Sequence, residues 1–373
     1  MYDSSPDATC AREQPENQAY LSEQLITYIG NKRNLLGFIG EGIDTVKARL
    51  GKNKLDTFDA FSGSGVVSRY LKRHSRLLVS NDLERYAETI NRCYLTNRED
   101  FHGREYAECL REIEWKLEKF PLAEGIISAL YAPRDDGLIL PGERAFYTAR
   151  NARFIDGAPE HLRDFFLAPL LSEASINANT AGVFKGFYKN RETGIGQFGG
   201  KNGDALSRIR GNIALKAPVL SDHSCECVVL RDDATAACGR LPEVDVAYLD
   251  PPYNQHPYGS NYFMLNVILE NKKPETVSPV SGIPPDWNRS AYNRKEKARA
   301  ALDGLVAATN AKFILVSFNS EGFIPRAEMA DLLEKHGTIT VLDTDYNTFR
   351  GSRNLRARNL HVREYLFLLE KKR

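Results

Sequence analysis

Short apolar runs alternate with amphipathic segments along the first hundred residues. Apolar runs at 55–61 and 77–80 predict two buried strands, and apolar residues at helical spacing predict helices over 34–50, 66–72 and 84–95. A glycine-rich turn follows the first strand, and an acid follows the second. This order of strand, turn, helix, strand and acid predicts the first half of a doubly wound, Rossmann-like α/β sheet.

The pattern changes between residues 101 and 217, where strand-like runs become rare and amphipathic helices alternate with Gly- and Asn-rich loops. A segment of this length is too long for a connection inside a compact sheet, so it predicts an inserted, mainly helical subdomain. Strand-like runs resume at 228–230, 244–249, 313–318, 339–342 and 365–369. The last two can pair as an antiparallel hairpin at the sheet edge. The predicted division is a flexible N-terminal arm (1–25), a catalytic domain (26–100 and 218–373) and the insertion (101–217).

The composition is that of an ordinary globular protein, with 373 residues, 42% hydrophobic and 27% charged, and a net charge of +1. No apolar run reaches the roughly 18 residues of a membrane-spanning helix, and the N-terminal arm has no apolar core typical of a signal peptide. The six cysteines form no CxxC pair. Cys225-Glu226-Cys227 could contact a metal, but a strand with alternating thiols explains it more simply. We therefore expect a reduced cytoplasmic protein without a metal site.

The segment Asp59-Ala60-Phe61-Ser62-Gly63-Ser64-Gly65 places the glycine turn at the carboxyl end of the first predicted strand. Glycines allow a sharp turn and a close approach of the backbone to a ligand. Asp59 could hold an ammonium group, directly or through water, and Asp82 could bind a ribose diol. This layout suits a nucleoside cofactor in general, NAD included, although Ser68 stands where a dinucleotide fingerprint has its third glycine. Taken alone, the segment is explained equally well as a plain tight turn.

A second motif, Asp250-Pro251-Pro252-Tyr253, directly follows the predicted strand at 244–249. It therefore lies at the carboxyl edge of the sheet, where doubly wound proteins bind ligands, and its prolines stiffen the backbone. The lone pair of the adenine amine is delocalised into the ring, and two acceptors bonding its hydrogens would favour a pyramidal, nucleophilic nitrogen. Asp250 and the Pro251 carbonyl can be those acceptors, and Tyr253 can stack on an extruded base. The simpler alternative is a turn after a strand.

Together these motifs resemble the adenine-N6-specific DNA methyltransferases of the D12 (Dam-like) class. Residues 28–33, Tyr-Ile-Gly-Asn-Lys-Arg, look like the N-terminal motif of that class, whose lysine, here Lys32, meets the cofactor carboxylate. Residues 229–234 are similar to the segment that holds the cofactor adenine, and the resemblance leaves open whether Asp232 or Asp233 makes the contact.

The C-terminal segments at 346–350 and 361–365 are similar to those of modification enzymes of the FokI and NlaIII type, and the motifs follow the order of the class. The resemblance implies S-adenosylmethionine as cofactor and methyl transfer to the N6 amino group of adenine in a short DNA sequence. Such an enzyme would serve a restriction-modification system or act as an orphan methylase. The implied catalytic residues are Asp250, Pro251, Pro252 and Tyr253. The implied cofactor-binding residues are Tyr28, Lys32, Asp59, Phe61, Ser62, Gly63, Gly65, Asp82, Asp232 and Asp233.

The resemblance also implies that the insertion is a target-recognition subdomain for double-stranded DNA. The loop at 177–189 combines small residues, aromatic residues and lysines, and its candidate DNA contacts are Lys185, Tyr188 and Lys189. Five arginines, one histidine and no acid lie between 350 and 363, which suits phosphate contact or a solvated surface loop. The candidates there are Arg350, Arg353, Arg356 and Arg358. We expect a monomer, and the resemblance allows a cognate restriction endonuclease acting on the same site as a partner.

Other functions on the same fold differ in the methyl acceptor. Cytosine N4 is the nearest because it is also an exocyclic amine, although such enzymes more often carry serine in place of Asp250. Enzymes acting on an RNA base or a protein glutamine usually carry asparagine there. Cytosine C5 chemistry needs a nucleophilic cysteine, typically after a proline, and the sequence has no Pro-Cys pair. A non-catalytic DNA-binding subunit would be expected to lose a motif, and an NAD-dependent oxidoreductase leaves Lys32 and the 250–253 motif unexplained.

Overall fold

One sheet forms the centre of the protein. The structure is a computed structural model, and it describes residues 15–119, 124–158, 164–200, 203–347 and 361–372. The strands are β1 (Leu55–Asp59), β2 (Ser75–Asp82), β3 (Glu226–Arg231), β4 (Val244–Leu249), β5 (Ala311–Asn319), β6 (Gly337–Asn347) and β7 (His361–Lys371). They lie in the order β3-β2-β1-β4-β5-β7-β6, and of these strands β7 is the one that runs opposite to the other six. The predicted Rossmann-like sheet with an antiparallel C-terminal hairpin is confirmed.

Helices cover both faces of this sheet. They are α1 (Gln18–Ser22), α2 (Leu36–Leu50), α3 (Val66–Lys72), α4 (Arg85–Tyr94), α5 (Gly103–Lys119), α6 (Ile126–Tyr131), α7 (Ala149–Gly157), α8 (Asp164–Ile176), α9 (Leu206–Arg210), α10 (Ala234–Cys238), α11 (Tyr258–Asn261), α12 (Phe263–Glu270), α13 (Lys295–Ala308) and α14 (Arg326–Glu334). Along β5, Phe313 and Leu315 pack with α2 and α3, while Ile314 and Val316 pack with α10, α13 and α14. Because the strand is apolar on both faces, it can be buried between two helical layers.

The inserted segment supplies α5 to α9, and it packs closely against the rest of the chain. One buried cluster contains Ile90 of α4, Tyr131 of α6, Ile155 of α7, Leu171 of α8 and Leu265 of α12. The insertion therefore shares a core with helices that flank the sheet. The division into a catalytic domain and a recognition subdomain stays a prediction.

The N-terminal arm predicted over 1–25 is folded in its last part. Tyr20 on α1 is fully buried, and its hydroxyl donates a hydrogen bond to the Tyr94 carbonyl at 2.8 Å. Leu25 is buried as well. Tyr20 and Leu25 therefore pack against the rest of the chain, while the flexible arm over 1–25 stays a prediction. Residues 1–14 lie outside the described residues.

Membrane spans and metal-ligand clusters are both missing from the residues that the structure describes. No helix there has both the length and the apolar character needed to cross a membrane. In the same ranges, no three His, Cys, Asp or Glu side chains come together as metal ligands would. The sulfur atoms of Cys225 and Cys227 lie 3.4 Å apart, and Lys72 Nζ lies 3.7 Å from the second of them.

Candidate active site

The glycine turn between β1 and α3 forms one wall of a cavity. Gly63 (φ 51°) and Gly65 (φ 77°) have left-handed backbone conformations, and Gly65 is the N-cap of α3. A Cβ atom on Gly63 would lie 2.7 Å from Cε1 of Tyr28, and one on Gly65 would lie 2.6 Å from Oδ1 of Asn91. Both positions need glycine for conformation and for space, and the Tyr28 ring packs directly against the turn.

Asp59, the last residue of β1, lies beneath this turn. Its side chain is fully buried, and Ser68 Oγ donates a hydrogen bond to its Oδ2 at 2.6 Å. Burial raises the pKa of Asp59 to about 7, and the hydrogen bond from Ser68 opposes the rise. Ser68, which stands where a dinucleotide fingerprint has its third glycine, thus holds the Asp59 side chain in place. Asp59 is outside the cavity lining, and its Oδ1 has no hydrogen-bond partner among the described residues; its contact with a ligand, directly or through water, stays a prediction.

Asp82 ends β2 and faces the cavity from the neighbouring strand. Its Oδ2 accepts a hydrogen bond from Gly63 N at 2.8 Å, and its Oδ1 accepts one from Glu84 N at 2.9 Å. Burial raises the pKa of Asp82, and these backbone hydrogen bonds oppose the rise. The carboxylate thereby joins the glycine turn to the start of α4. Each oxygen keeps a lone pair for a ligand hydroxyl.

Asp232 and Asp233 line the cavity just after β3, and each has a partner within the chain. Asp232 accepts a hydrogen bond from Asp233 N at 2.8 Å and forms an ion pair with Arg240. Asp233 is the N-cap of α10, where its Oδ1 accepts hydrogen bonds from Thr235 N at 2.9 Å and Ala236 N at 3.4 Å. Both oxygens of Asp232 are engaged, whereas the cap uses one oxygen of Asp233. The second oxygen of Asp233 is therefore the more available acceptor.

The cavity brings the two sequence motifs together at the carboxyl edge of the sheet. The predicted residues that line it are Tyr28, Lys32, Phe61, Ser62, Gly63, Asp82, Asp232, Asp233, Asp250 and Pro252. The predicted residues outside its lining are Asp59, Gly65, Pro251 and Tyr253.

Asp250 and Lys32 form an ion pair in the cavity wall. The distance from Nζ to Oδ1 is 3.2 Å, and the side chains are 5% (Lys32) and 16% (Asp250) exposed. Burial raises the pKa of Asp250 to about 6, with Lys32 lowering it and Glu364 raising it further. Burial also acts to lower the pKa of Lys32, but nearby acidic groups, Asp250 first, outweigh burial and raise it. Lys32 is therefore charged and Asp250 ionised at neutral pH.

Tyr253 packs beside this ion pair. Lys32 Nζ lies 5.4 Å from the centre of its ring, and Phe318 meets the ring edge-on at 5.9 Å. The Tyr253 carbonyl accepts a hydrogen bond from Phe323 N at 3.0 Å, which ties the loop to the segment after β5. A Cβ atom on Gly30 (φ 75°) would lie 3.2 Å from the Tyr253 hydroxyl, so the N-terminal motif packs against this loop. Stacking of Tyr253 on a base stays a prediction.

A stack of tyrosines at the cavity wall was not predicted from the sequence. The Tyr28 ring lies between the rings of Tyr258 at 4.9 Å and Tyr262 at 4.8 Å. The Tyr28 and Tyr86 hydroxyls lie 3.2 Å apart, and Tyr258 lines the cavity. The available signal was the run of aromatic residues that follows Asp250 in the sequence.

Two further acids near the site were not predicted from the sequence. Glu84 is buried in the cavity wall beside Asp82, Asn266 donates a hydrogen bond to its Oε2 at 2.7 Å, and burial raises its pKa to about 7. Glu364 is buried on β7, and its Oε2 lies 3.9 Å from Lys32 Nζ. The sequence signal for Glu84 was its place two residues after Asp82. The signal for Glu364 was an acid at an inward position of an alternating strand.

The loop at 180–189 lies next to these motifs. Phe184 is buried, and its N–H donates a hydrogen bond to the Asn261 carbonyl at 2.8 Å, at the end of α11. A Cβ atom on Gly182 would lie 3.0 Å from Cγ2 of Thr27, just before the N-terminal motif. The insertion thus reaches the cavity rim through this loop.

The candidate DNA contacts of this loop are accessible. Lys185 and Lys189 are exposed and Tyr188 is partly exposed. Lys189 pairs with Gly196 in an isolated antiparallel bridge, and its Nζ lies 5.0 Å from the centre of the Phe187 ring. Their role in DNA binding stays a prediction.

The candidate arginines of the C-terminal basic stretch lie outside the described residues; they are Arg350, Arg353, Arg356 and Arg358. Arg363, which closes the same basic stretch, is on β7. It forms ion pairs with Asp345 at 3.1 Å and Asp343 at 3.5 Å on β6. Its charge is therefore balanced within the hairpin.

Several known proteins are similar to this chain over most of its length. It is 27% identical to the type II methyltransferase M.NlaIII of Neisseria lactamica, over 93% of this chain and 99% of that protein. It is 26% identical to the type II methyltransferase M.CviAII of Paramecium bursaria Chlorella virus 1, over 90% of this chain and 98% of that protein. For the type II methyltransferase M.FokI of Planomicrobium okeanokoites, 25% identity covers 92% of this chain and 52% of that protein.

A family model gives the assignment. The model of the D12 class N6 adenine-specific DNA methyltransferases matches residues 28–281. That range begins at Tyr28, includes the glycine turn and the whole insertion, and passes beyond Tyr253. Since the match covers more than half of the chain and contains the cavity-forming motifs, the chain belongs to the D12 class of N6 adenine-specific DNA methyltransferases.

Proposed function

We propose that this protein transfers the methyl group of S-adenosylmethionine to the N6 amino group of adenine within a short sequence of double-stranded DNA. The observation that carries the proposal is one cavity in which the glycine turn and Asp82 meet Asp250 and Pro252. A cofactor at the turn and an amine at Asp250 would share this space, so transfer needs no covalent enzyme intermediate. When bound, S-adenosylmethionine supplies a methyl group already activated by its sulfonium leaving group.

The residues of the cavity fit this cofactor. Asp82 and the buried Glu84 offer carboxylate oxygens to ribose hydroxyls. The second oxygen of Asp233 can accept from the adenine amino group, with Asp232 fixed behind it by Arg240. The Ser62–Gly63 turn allows close approach of the backbone.

Lys32 is proposed to make two contacts, one with the cofactor and one with Asp250. An ammonium group has three N–H donors, so Lys32 can contact the cofactor carboxylate from the cavity wall while it keeps its ion pair with Asp250. The lysine then links the cofactor half of the cavity to the half that binds the target amine.

Asp250 and the Pro251 carbonyl are the proposed acceptors for the two hydrogens of the target amine. With a pKa of about 6, Asp250 is ionised at neutral pH and acts only as an acceptor. Hydrogen bonds to both hydrogens keep the nitrogen lone pair out of conjugation with the ring. Tyr253 is the proposed stacking partner of the extruded base.

The insertion is proposed to bind the target sequence. Its loop at 180–189 contacts Asn261 and Thr27 beside the cavity motifs, and the loop carries the exposed Lys185 and Lys189, whose cationic groups can bind phosphates, with Tyr188 between them in the sequence. The C-terminal candidates for phosphate contact are Arg350, Arg353, Arg356 and Arg358. We further propose a monomer that modifies one strand at a time, as the partner of an endonuclease acting on the same site.

Transfer of tritium from labelled S-adenosylmethionine to unmethylated bacterial DNA, with nucleoside analysis, tests the reaction. Label is expected in N6-methyladenine, and long-read sequencing of the same DNA then gives the target sequence. Label in N4-methylcytosine would overturn the base assignment, and label in RNA alone would overturn the DNA substrate. Asp250→Asn should abolish transfer and preserve cofactor binding, whereas Asp331→Asn, at an exposed position of α14, should preserve both.

A further inference from the structure

Glu364 is a buried acid to which the proposed reaction gives no role. Its side chain is 5% exposed. Asn319 Nδ2 donates a hydrogen bond to Oε1 at 3.4 Å, while Oε2 receives none from the described residues. Lys32 Nζ lies 3.9 Å from Oε2. A buried carboxylate is costly unless it is well paired, so an incompletely paired one is a candidate for function.

The antiparallel course of β7 explains how Glu364 reaches the active site. Because β7 runs opposite to β4 and β5, its first residues lie at the edge where those strands end. Glu364 pairs with Asn319, the last residue of β5, and Asp250 follows Leu249, which pairs with Val316 of β5. Two carboxylates from two strands thus meet the same ammonium group, at 3.2 Å from Asp250 and 3.9 Å from Glu364.

We propose that Glu364 is a positioning residue for methyl transfer: it anchors the ammonium group of Lys32, so that Lys32 neutralises Asp250 only in part and Asp250 stays a strong acceptor for the target amine. The inference rests on the role proposed above for Asp250. It assigns Glu364 to the reaction through Lys32 and not through contact with either substrate.

The proposed role of Glu364 can be measured through the pKa of Asp250, which depends on the charges around it. The groups that face Asp250 are Lys32 from the N-terminal motif, Glu364 from β7, Asp59 from β1, Tyr248 from β4, and Tyr253 and Tyr258 after β4. Lys32 is the cation of this group, and Glu364 raises the pKa of Asp250. Without the charge of Glu364, Lys32 would pair with Asp250 alone, and the pKa of Asp250 would fall.

Glu364→Gln tests the proposal, because it removes the charge and keeps the size and the hydrogen bond from Asn319. Glu370→Gln is the matched control: Glu370 is on the same strand, its side chain is 51% exposed, and it pairs with Arg49 at 2.9 Å. The pKa of Asp250 would be measured in the ligand-free protein by NMR of carboxyl-labelled aspartates. The signal of Asp250 is assigned by its loss in Asp250→Asn.

In Glu364→Gln we expect the pKa of Asp250 to fall by about half a unit or more. The acid limb of the pH profile of kcat/KM for DNA should move down with it, and kcat at neutral pH should fall about threefold. The KM for S-adenosylmethionine should stay within about twofold. Glu370→Gln should match the unsubstituted protein in all of these measurements.

An unchanged pKa of Asp250 in Glu364→Gln would overturn the proposal. A raised KM for the cofactor with normal kcat would also overturn it, by assigning the Lys32–Glu364 pair to cofactor binding. If the glutamine variant does not fold, Glu364→Asp keeps the charge and should keep the pKa of Asp250; a lowered pKa would contradict the inference. The NMR measurement needs neither DNA nor cofactor, so a protein that fails to methylate DNA would refute the proposed function separately.

Discussion

A methyl group added at Gly63 would meet the Tyr28 ring, and the surrounding contacts prevent the ring from moving aside. The added Cβ would lie 2.7 Å from Tyr28 Cε1. Tyr28 is stacked between Tyr258 and Tyr262, at 4.9 and 4.8 Å. Both tyrosines are hydrogen-bonded to Ile29: the Tyr258 hydroxyl donates to its carbonyl at 3.0 Å, and the Tyr262 hydroxyl accepts from its N–H at 2.7 Å. Gly63→Ala therefore forces the turn itself to shift.

The expected cost has two parts. A left-handed backbone, φ 51° at Gly63, costs a non-glycine residue about 1 kcal/mol. Overpacking of a rigid site costs about 1–3 kcal/mol more. Gly51→Ala is the matched control, because Gly51 has φ 65° and its added Cβ would have no neighbour within 4 Å. We expect losses of about 2–4 kcal/mol for Gly63→Ala and about 1 kcal/mol for Gly51→Ala.

Urea unfolding of the ligand-free proteins measures these losses of stability. Calorimetric titration measures the affinity for S-adenosylmethionine, which should fall if the turn has shifted. Gly63→Ala should weaken cofactor binding by about tenfold or more, whereas Gly51→Ala should leave it unchanged. The reasoning would be refuted if the two variants lost the same stability, or if Gly63→Ala bound the cofactor normally.

Three further predictions concern the acceptor, the turn and the DNA interface. The kcat/KM for DNA should be half-maximal near the Asp250 pKa of about 6 and should fall roughly tenfold with each pH unit below it, because the ionised form is the acceptor; a flat profile would contradict this role. Asp82→Asn places an amide against the N–H groups of Gly63 and Glu84, so it should cost about 1–3 kcal/mol of stability and weaken cofactor binding in calorimetry; normal binding would remove Asp82 from the cofactor site. Lys185→Ala and Lys189→Ala should each weaken DNA binding and reduce the salt slope of the binding constant by about one, and an unchanged slope would exclude a phosphate contact.

The sheet could be predicted from the sequence because each strand is marked by its own short run of apolar residues. The predicted bounds of β4 at 244–249 and α3 at 66–72 agree with the structure. β2 and β5 are longer than predicted, since polar residues at their ends, such as Asp82 and Asn319, still take part in strand pairing. Hydrophobic runs mark the buried centre of a strand and do not mark its full length.

The site could be predicted only in part, because much of it depends on register. Asp82 and Asp250 follow apolar strands, so their approach to each other at one sheet edge follows from topology. The place of Glu364 depends on the insertion of β7 between β5 and β6 and on its pairing with Asn319. The contact between Gly63 and Tyr28 depends on the packing of a segment that precedes the sheet. The alternation of β7 marks Glu364 as an inward-facing acid, but nothing local in the sequence shows which residues Glu364 or Tyr28 contact.

The segment at 28–32 explains why the two halves of the cavity should act as one unit. Tyr28 packs against the glycine turn, and Gly30 packs against Tyr253. Lys32 is paired with both Asp250 and Glu364. A shift of the glycine turn would therefore reach the acceptor group through contacts within five residues, without any movement of the sheet. Because a packed site changes between discrete arrangements, a cofactor that fixes the turn should also favour the arrangement in which Lys32 and Asp250 are correctly placed for the target amine.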